Sequence, residues 1–143
     1  MHVARILERK GKRVVTAEPS TTVAEVARTL YRERIGALLI MEDDGSISGI
    51  ISERDIIRAL ASHGEGALGM PAHELMTRSP VTCTSETTVE ELMAKMSERR
   101  IRHLPVVDGG RLSGMVSIGD VVKNRLDELK SEADELRHYV MSG

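Results

Sequence analysis

The chain has 143 residues, of which 41% are hydrophobic and 29% charged, with a formal net charge of −2 at pH 7. This composition predicts a globular protein with an aliphatic core, and it disfavours nucleic-acid partners because Trp and Phe are absent and there is no basic excess. The single cysteine predicts a protein without an internal disulfide, and the five scattered histidines predict no structural metal site. Since no apolar run reaches about 18 residues, we also expect no membrane partner and a cytoplasmic location.

The first half of the chain predicts the order strand, helix, strand, strand, helix. Residues 14–16 form a short β-branched strand, and Thr22 caps a helix with Glu25 in its first turn. The apolar side chains that share one face of this helix are Val23, Val26, Ala27 and Leu30.

Two buried strands and a second helix complete this half. IGALLIM (35–41) and SISGII (46–51) are predicted strands, joined by the turn EDDG. SERDIIRALA, from residue 52, is predicted to be an amphipathic helix with Ile56, Ile57 and Leu60 on its apolar face.

The second half of the chain repeats the first. Residues 81–106 align without gaps on residues 15–40, and GIISERDII (49–57) recurs as GMVSIGDVV (114–122). One residue is lost from the second hairpin turn, a position that tolerates such changes. The apolar face of the repeated first helix is formed by Val89, Leu92, Met93 and Met96.

GEGALG (64–69), between the two copies, matches the G-x-G-x-x-G pattern of dinucleotide-binding loops. That pattern requires a strand before it and a helix after it, whereas this segment follows a predicted helix. We therefore predict a flexible linker here.

The end of the chain predicts a further amphipathic helix. Apolar residues recur at alternating spacings of four and three, which is the a/d pattern of a coiled coil. We call this stripe the seam: Val122, Leu126, Leu129, Ala133, Leu136 and Val140. Two alternatives are that the helix pairs with a second copy, giving a homodimer, and that it folds back on its own module.

The repeated Ser-x-x-Asp is open to two interpretations. Ser52 and Ser117 directly precede predicted helices, so each pair, with Asp55 or Asp120, would serve as a capping box. Alternatively, a serine and an aspartate at a helix N-terminus would hold phosphate and ribose, because the helix offers free N–H groups and a carboxylate accepts from two hydroxyls.

The element order, HLPVV before a turn and the duplicated G-h-h-S-x-x-D (h, apolar) together resemble a tandem pair of CBS domains, the cystathionine β-synthase module. The resemblance implies two β-α-β-β-α repeats packed sheet to sheet with pseudo-two-fold symmetry, plus the C-terminal helix. The corresponding divisions are repeat 1 (1–62), linker (63–72), repeat 2 (73–125) and C-terminal helix (126–143).

The resemblance also implies nucleotide-binding clefts between the repeats. In the first, Asp120 would hold ribose with help from Ser117, and the other residues come mainly from the first repeat. The implied members are Lys12, Val14, Thr16, Ile35, Gly36, Ala37, Ser117 and Asp120.

The other implied cleft has Asp55 as the ribose ligand, and it is the more basic of the two because of Arg54, Arg102 and His103. We therefore expect phosphates there. The implied members are Ser52, Arg54, Asp55, Thr77, Pro80, Val81, Thr82, Ile101, Arg102 and His103.

Three classes of function follow from these patterns. The first is a non-catalytic regulatory module that binds AMP, ADP, ATP or NAD(H) and signals energy or redox state through a homodimer or a protein partner in trans. The second is a structural dimerisation module with empty clefts. The third is an oxidoreductase built around GEGALG. It is disfavoured because the sequence offers no nucleophile, no pair of residues for general acid-base catalysis, and no metal cluster or catalytic cofactor site.

Overall fold

The computed structural model describes residues 1–142. In chain order the strands are β1 Thr16–Ala17, β2 Ala37–Met41, β3 Ile47–Ser52, β4 Thr77–Arg78, β5 His103–Asp108 and β6 Arg111–Ser117. The α-helices are α1 Val3–Lys10, α2 Val23–Glu33, α3 Glu53–His63, α4 Ala72–Leu75, α5 Val89–Arg99 and α6 Ile118–Ser142.

These elements form two compact units. The first unit consists of residues 13–81, and the second unit combines residues 1–12 with the chain from residue 82 onward. The mixed α/β class and the long C-terminal helix are confirmed. The units divide the chain differently from the sequence repeats, because residues 73–81 lie in the first unit and residues 1–12 in the second.

The first unit is built on a four-stranded sheet in the order β1, β2, β3, β4. Strand β1 is parallel to β2, and the remaining pairs are antiparallel. Helices α2 and α3 contribute Val26, Leu30 and Ile56 to a core that also contains Leu38 and Ile51 from the strands. Burial of these aliphatic side chains replaces the aromatic core that the composition excludes.

Two predictions for the first unit are wrong in detail. The first strand begins at Thr16 and not at residue 14. On α3, Ile57 is 66% exposed and Leu60 is 38% exposed, so the buried face is narrower than the apolar pattern. In the other repeat, Met93 of α5 is likewise 49% exposed. These positions show that an apolar residue at helical spacing need not be a core residue.

The predicted flexible linker is also wrong, because Gly64–Gly69 forms a 3-10 helix. The side chain of Ala67 within it is completely buried. The N–H of Met70 donates to the carbonyl of Ala67 at 3.1 Å and holds the end of this turn. The glycines permit a tight connection, and burial of Ala67 fixes it in place.

The second unit contains the antiparallel hairpin β5–β6, together with α1, α5 and α6. The predicted first strand of this repeat is reduced to an isolated parallel bridge between Cys83 and Val106. Helix α6 runs without interruption from Ile118 to Ser142, and it buries Val121 and Asn124. It therefore serves both as the last helix of the repeat and as the C-terminal extension.

The first residues of α2 and α5 each bond to a segment that is distant in sequence: residue 70 lies beside the start of α2, and residue 1 lies beside the start of α5. The N–H of Val23 donates to Met70 at 2.9 Å, and the N–H of Val89 donates to Met1 at the same distance. The segment leading into the second repeat thus belongs to the first unit, and the segment leading into the first repeat belongs to the second. The sequence repeat alone did not indicate that each leading segment packs in the unit of the other repeat.

The two glycines of the repeated G-h-h-S-x-x-D motif lie where these segments pack against the strands. A Cβ at Gly49 would lie 2.7 Å from both the Met76 Sδ and the Thr77 carbonyl oxygen. A Cβ at Gly114 would lie 2.8 Å from Leu7 Cδ2. The motif therefore requires glycine for close packing in both copies.

We predict that Gly49→Ala lowers the free energy of unfolding by about 1–3 kcal/mol, because a backbone carbonyl blocks the new methyl group. Gly114→Ala should cost less, since the obstructing Leu7 side chain can rotate. Gly66→Ala is the control, because none of the described atoms outside its own turn lies within 4 Å of the built Cβ. Chemical denaturation measures all three; equal losses would contradict the packing explanation.

Candidate functional site

The first Ser-x-x-Asp pair lies at the junction between β3 and α3. The backbone N–H of Ser52 donates to Asp55 Oδ2 at 2.9 Å, and the N–H of Asp55 donates to Ser52 Oγ at 3.4 Å. The Ser52 hydroxyl also donates to Asp55 Oδ2 at 3.1 Å. This is a complete capping box, and it holds Asp55 with its side chain 10% exposed.

The second pair has the same arrangement between β6 and α6. The N–H of Ser117 donates to Asp120 Oδ2 at 2.9 Å, and the N–H of Asp120 donates to Ser117 Oγ at 3.2 Å. The capping interpretation is therefore confirmed at both positions. In both boxes the cap uses the same carboxylate oxygen, Oδ2, so the other oxygen, Oδ1, takes no part in the cap.

Residues from the preceding strand complete each junction. The carbonyl of Gly36 accepts from the N–H of Glu53 at 2.9 Å, and Ala37 pairs with Ser52 across the sheet. Each of these residues comes from the same repeat as the serine it accompanies. The structure thus brings Gly36 and Ala37 to the Ser52 junction.

The second junction is completed in the same manner. The carbonyl of Arg102 accepts from the N–H of Ile118 at 2.8 Å, and His103 pairs with Ser117. Arg102 and His103, assigned from sequence to the cleft of Asp55, thus have their backbone at the Ser117 junction. Their assignment to a cleft with Asp55 remains a prediction.

Each aspartate has a basic partner that the sequence analysis missed. Arg58 Nη1 lies 3.3 Å from Asp55 Oδ1, but the Arg58 side chain is 69% exposed. Lys10 Nζ, from α1, lies 2.6 Å from Asp120 Oδ2 and 2.8 Å from the carbonyl of Met115. Helical i,i+3 spacing could have indicated Arg58. Nothing in the sequence indicated Lys10, which is 110 residues away from Asp120.

The other residues implied by the resemblance are distributed over both units. Of those in the first unit, Thr16 and Thr77 lie in strands and Arg54 lies in α3; the others are Val14, Ile35, Pro80 and Val81. In the second unit they are Lys12, Thr82 and Ile101. Thr77 pairs with Ile50 on β3, two residues before Ser52. The two predicted sets remain predictions.

An open groove of about 750 Å³ lies between α2 and α3 of the first unit. Its walls include Ile35 and Gly36, together with Tyr31, Glu53 and Ile57. Tyr31 is 88% exposed, and Ile57 presents its apolar side chain to the same groove. The charged residues Arg32 and Arg34 also line the groove and are exposed, so its surface combines apolar and charged side chains.

The described residues include one buried thiol, that of Cys83. Burial raises the pKa of the Cys83 thiol to about 11, so the reactive thiolate is suppressed at neutral pH. Within residues 1–142 no group of three or more His, Cys, Asp or Glu side chains is placed to hold a metal ion. No helix in this part of the chain has the length and apolar character that crossing a bilayer requires.

We predict a coupling of about 0.5–1 kcal/mol between Lys10 and Asp120 in a double-mutant cycle of Lys10→Met and Asp120→Asn, because the pair is partly shielded from water. The matched control is Arg9 with Asp127, which also joins α1 to α6 but at 3.8 Å and with both side chains nearly half exposed. Its coupling should be close to zero. Equal couplings, measured by urea denaturation, would contradict a specific role for Lys10.

Comparisons with known proteins agree with the duplicated architecture. The family model described as CBS domain matches twice, over residues 3–62 and 72–127. The chain is 30% identical over 149 residues to the mitochondrial CBS domain-containing protein CBSX3 of Arabidopsis thaliana, covering 99% of this chain and 72% of that protein.

Solved structures show the same fold. The CBS-domain-containing protein ATU1752 from Agrobacterium tumefaciens is 42% identical, with a TM-score of 0.86 over 87% of this chain and 99% of that chain. The CBS domain pair of protein MJ0100, in complex with 5′-methylthioadenosine and S-adenosyl-L-methionine, is 30% identical, with a TM-score of 0.79 over 90% of this chain and 98% of that chain. The chain belongs to the CBS-domain family and carries two CBS repeats.

Proposed function

We propose that this protein is a non-catalytic regulatory module that binds an adenine nucleotide, AMP, ADP, ATP or NAD(H), at its two Ser-Asp junctions. The observation that carries the proposal is the duplicated junction itself, in which a serine, an aspartate and a helix N-terminus are held together in both units. The MJ0100 domain pair, which is similar in fold and sequence, binds two adenosine-derived compounds. That similarity supports adenosine as the common part of the ligand.

Capping and ligand binding are compatible at these aspartates. A carboxylate offers about four lone-pair positions on its two oxygens. The backbone N–H of the serine occupies Oδ2 at both junctions, and at Asp55 the exposed Arg58 side chain lies 3.3 Å from Oδ1, so a ligand there would share Oδ1 with Arg58 or displace it. We expect two neighbouring ribose hydroxyls to donate to a carboxylate held in this way, and the helix N-terminus with Ser Oγ to bind the phosphate.

Nearby basic groups favour a phosphorylated ligand over adenosine alone. Lys10 lies against Asp120, and Arg58 lies against Asp55. The Lys10 ammonium is the less exposed of the two cations, so its interaction with an anion would be screened less by water. This supports a phosphate at the Asp120 junction in addition to the one expected from sequence near Arg54 and Asp55.

The signalling part of the proposal involves a second copy or another protein. We expect a cytoplasmic homodimer that transmits ligand binding through a change in its association or to a protein target in trans. The structural alternative, a dimerisation module without ligand, has one observation in its favour: both serine-aspartate pairs already serve as helix caps. Ligand binding by the wild-type protein separates the two functions.

We predict that Asp55→Ala and Asp120→Ala each reduce nucleotide binding at their own junction by at least about tenfold, because the ribose loses a charged acceptor. Each change should also lower the free energy of unfolding by about 1 kcal/mol through loss of a cap. Calorimetric titration with AMP, ATP and NADH measures the first effect, and denaturation without ligand measures the second.

Thr22→Ala and Thr88→Ala are matched controls, because these threonines cap α2 and α5 with bonds of 3.3 and 3.1 Å from Glu25 and Glu91. They should cost a similar free energy of unfolding and leave nucleotide affinity unchanged. The sensor function is refuted if AMP, ATP and NADH all fail to bind wild-type protein. Turnover of any of these nucleotides would instead refute the non-catalytic assignment.

A further inference from the structure

The C-terminal helix leaves the second unit with one apolar face uncovered. Every residue from 129 to 142 is exposed. The seam residues that are large enough to matter energetically are among the most exposed apolar side chains of the described chain. Their exposed fractions are 52% for Val122, 61% for Leu126, 44% for Leu129, 64% for Leu136 and 68% for Val140.

The chain's own unit does not cover this seam. The residues of helix α6 that are buried against the second unit are Val121 and Asn124. At 100° per residue, the seam lies roughly 140° around the helix from those two residues. The alternative that the helix folds back on its own module is therefore wrong in this structure.

A helical segment without tertiary contacts requires a partner. A helix of fewer than about 12–15 residues is only marginally stable alone in water. An a/d stripe without cover is best covered by a second stripe of the same spacing, since knobs of one helix then fit the holes of the other. The chain supplies such a stripe in a second copy of itself.

The charges beside the seam select the orientation of that second copy. With Leu126 at position a and Leu129 at position d, the e positions are all basic: Lys123, Lys130 and Arg137. The g positions are Arg125, Glu132 and Tyr139. In an antiparallel pair e faces e and g faces g, whereas in a parallel pair g faces e of the next heptad.

The antiparallel arrangement that covers the whole seam brings only like charges together. Lys130 would face Lys130 of the second copy, Lys123 would face Arg137, and Glu132 would face Glu132. A shorter antiparallel overlap restores some opposite pairs, but it leaves the C-terminal part of the seam in water. Like-charge pairs at these positions destabilise association.

The parallel arrangement covers the whole seam with one opposite-charge pair and one like-charge pair from each copy. Glu132 of each copy would face Arg137 of the other. Arg125 would face Lys130, but Arg125 Nη1 is already 3.0 Å from Glu128 Oε2, which reduces the repulsion. We propose that the two α6 helices of a homodimer pair in parallel and in register along the seam, which rests on the homodimer of the proposed function.

Disulfide trapping tests the orientation in the full-length chain. The background is Cys83→Ala, which removes the single native thiol. Leu136→Cys should form a covalent dimer on mild oxidation, because facing seam positions of parallel helices lie within the range of about 4.4–6.8 Å between Cα atoms that a disulfide spans. Ser131→Cys, on the opposite face of α6, is the matched control and should stay monomeric in non-reducing electrophoresis.

The antiparallel alternative gives the opposite pattern, and it would overturn the proposal. Leu136 would then face Leu126 of the second copy, so Leu136→Cys alone would not cross-link, whereas Leu126→Cys combined with Leu136→Cys would. The proposal of parallel pairing is also overturned if neither the Leu136→Cys protein nor the protein with both Leu126→Cys and Leu136→Cys cross-links. The variant carrying Leu129→Glu and Leu136→Glu should halve the mass found by light scattering, while Ser131→Glu with His138→Glu should not change it.

These results are independent of the ligand proposal. AMP, ATP and NADH titrations on the Leu129→Glu and Leu136→Glu variant measure the Ser-Asp junctions, which lie outside the seam. Nucleotide binding without parallel cross-linking refutes the helix pairing alone. Parallel cross-linking without nucleotide binding by the wild-type chain refutes the sensor function alone.

Discussion

The capping box between a strand and a helix is the interaction on which both units depend. At Ser52 and Ser117 the chain must leave a sheet and begin a helix within one residue, and four helical N–H groups lose their partners at that point. The aspartate three residues later closes the box and is thereby fixed in position. A carboxylate held by the backbone is already ordered before any ligand arrives, so binding costs less conformational entropy.

Close packing behind the junction completes this arrangement. Gly49 and Gly114 allow a leading segment to lie against the strand that ends at each serine, and the contacting side chains are Met76 and Leu7. In the second unit the same leading segment also supplies Lys10 to the aspartate. The N-terminal helix therefore contributes to the polar junction as well as to the core. The two junctions differ because the cation beside Asp120 is the partly shielded Lys10, whereas the cation beside Asp55 is the exposed Arg58.

The sequence contained most of the fold and part of the site. Repetition at a nearly constant offset predicted the two copies, and local polar patterns predicted the caps at Thr22, Ser52 and Ser117 because capping involves residues only three apart. The 3-10 helix was missed because burial of Ala67 is a tertiary effect. Lys10 was missed because its contact with Asp120 joins the two ends of the chain, and no local pattern encodes such a contact. The exchange of leading segments was hidden for the same reason.

The central claim is that the two Ser-Asp junctions hold an adenine nucleotide, and the most direct measurement is mass spectrometry of small molecules released from protein purified without added ligand. The account predicts an adenine nucleotide in amounts comparable to the protein, strongly reduced when Asp55 and Asp120 are both replaced by Ala. Release of the same amount from that double variant would contradict the account. So would a wild-type protein that releases no adenine compound and does not bind added AMP, ATP or NADH.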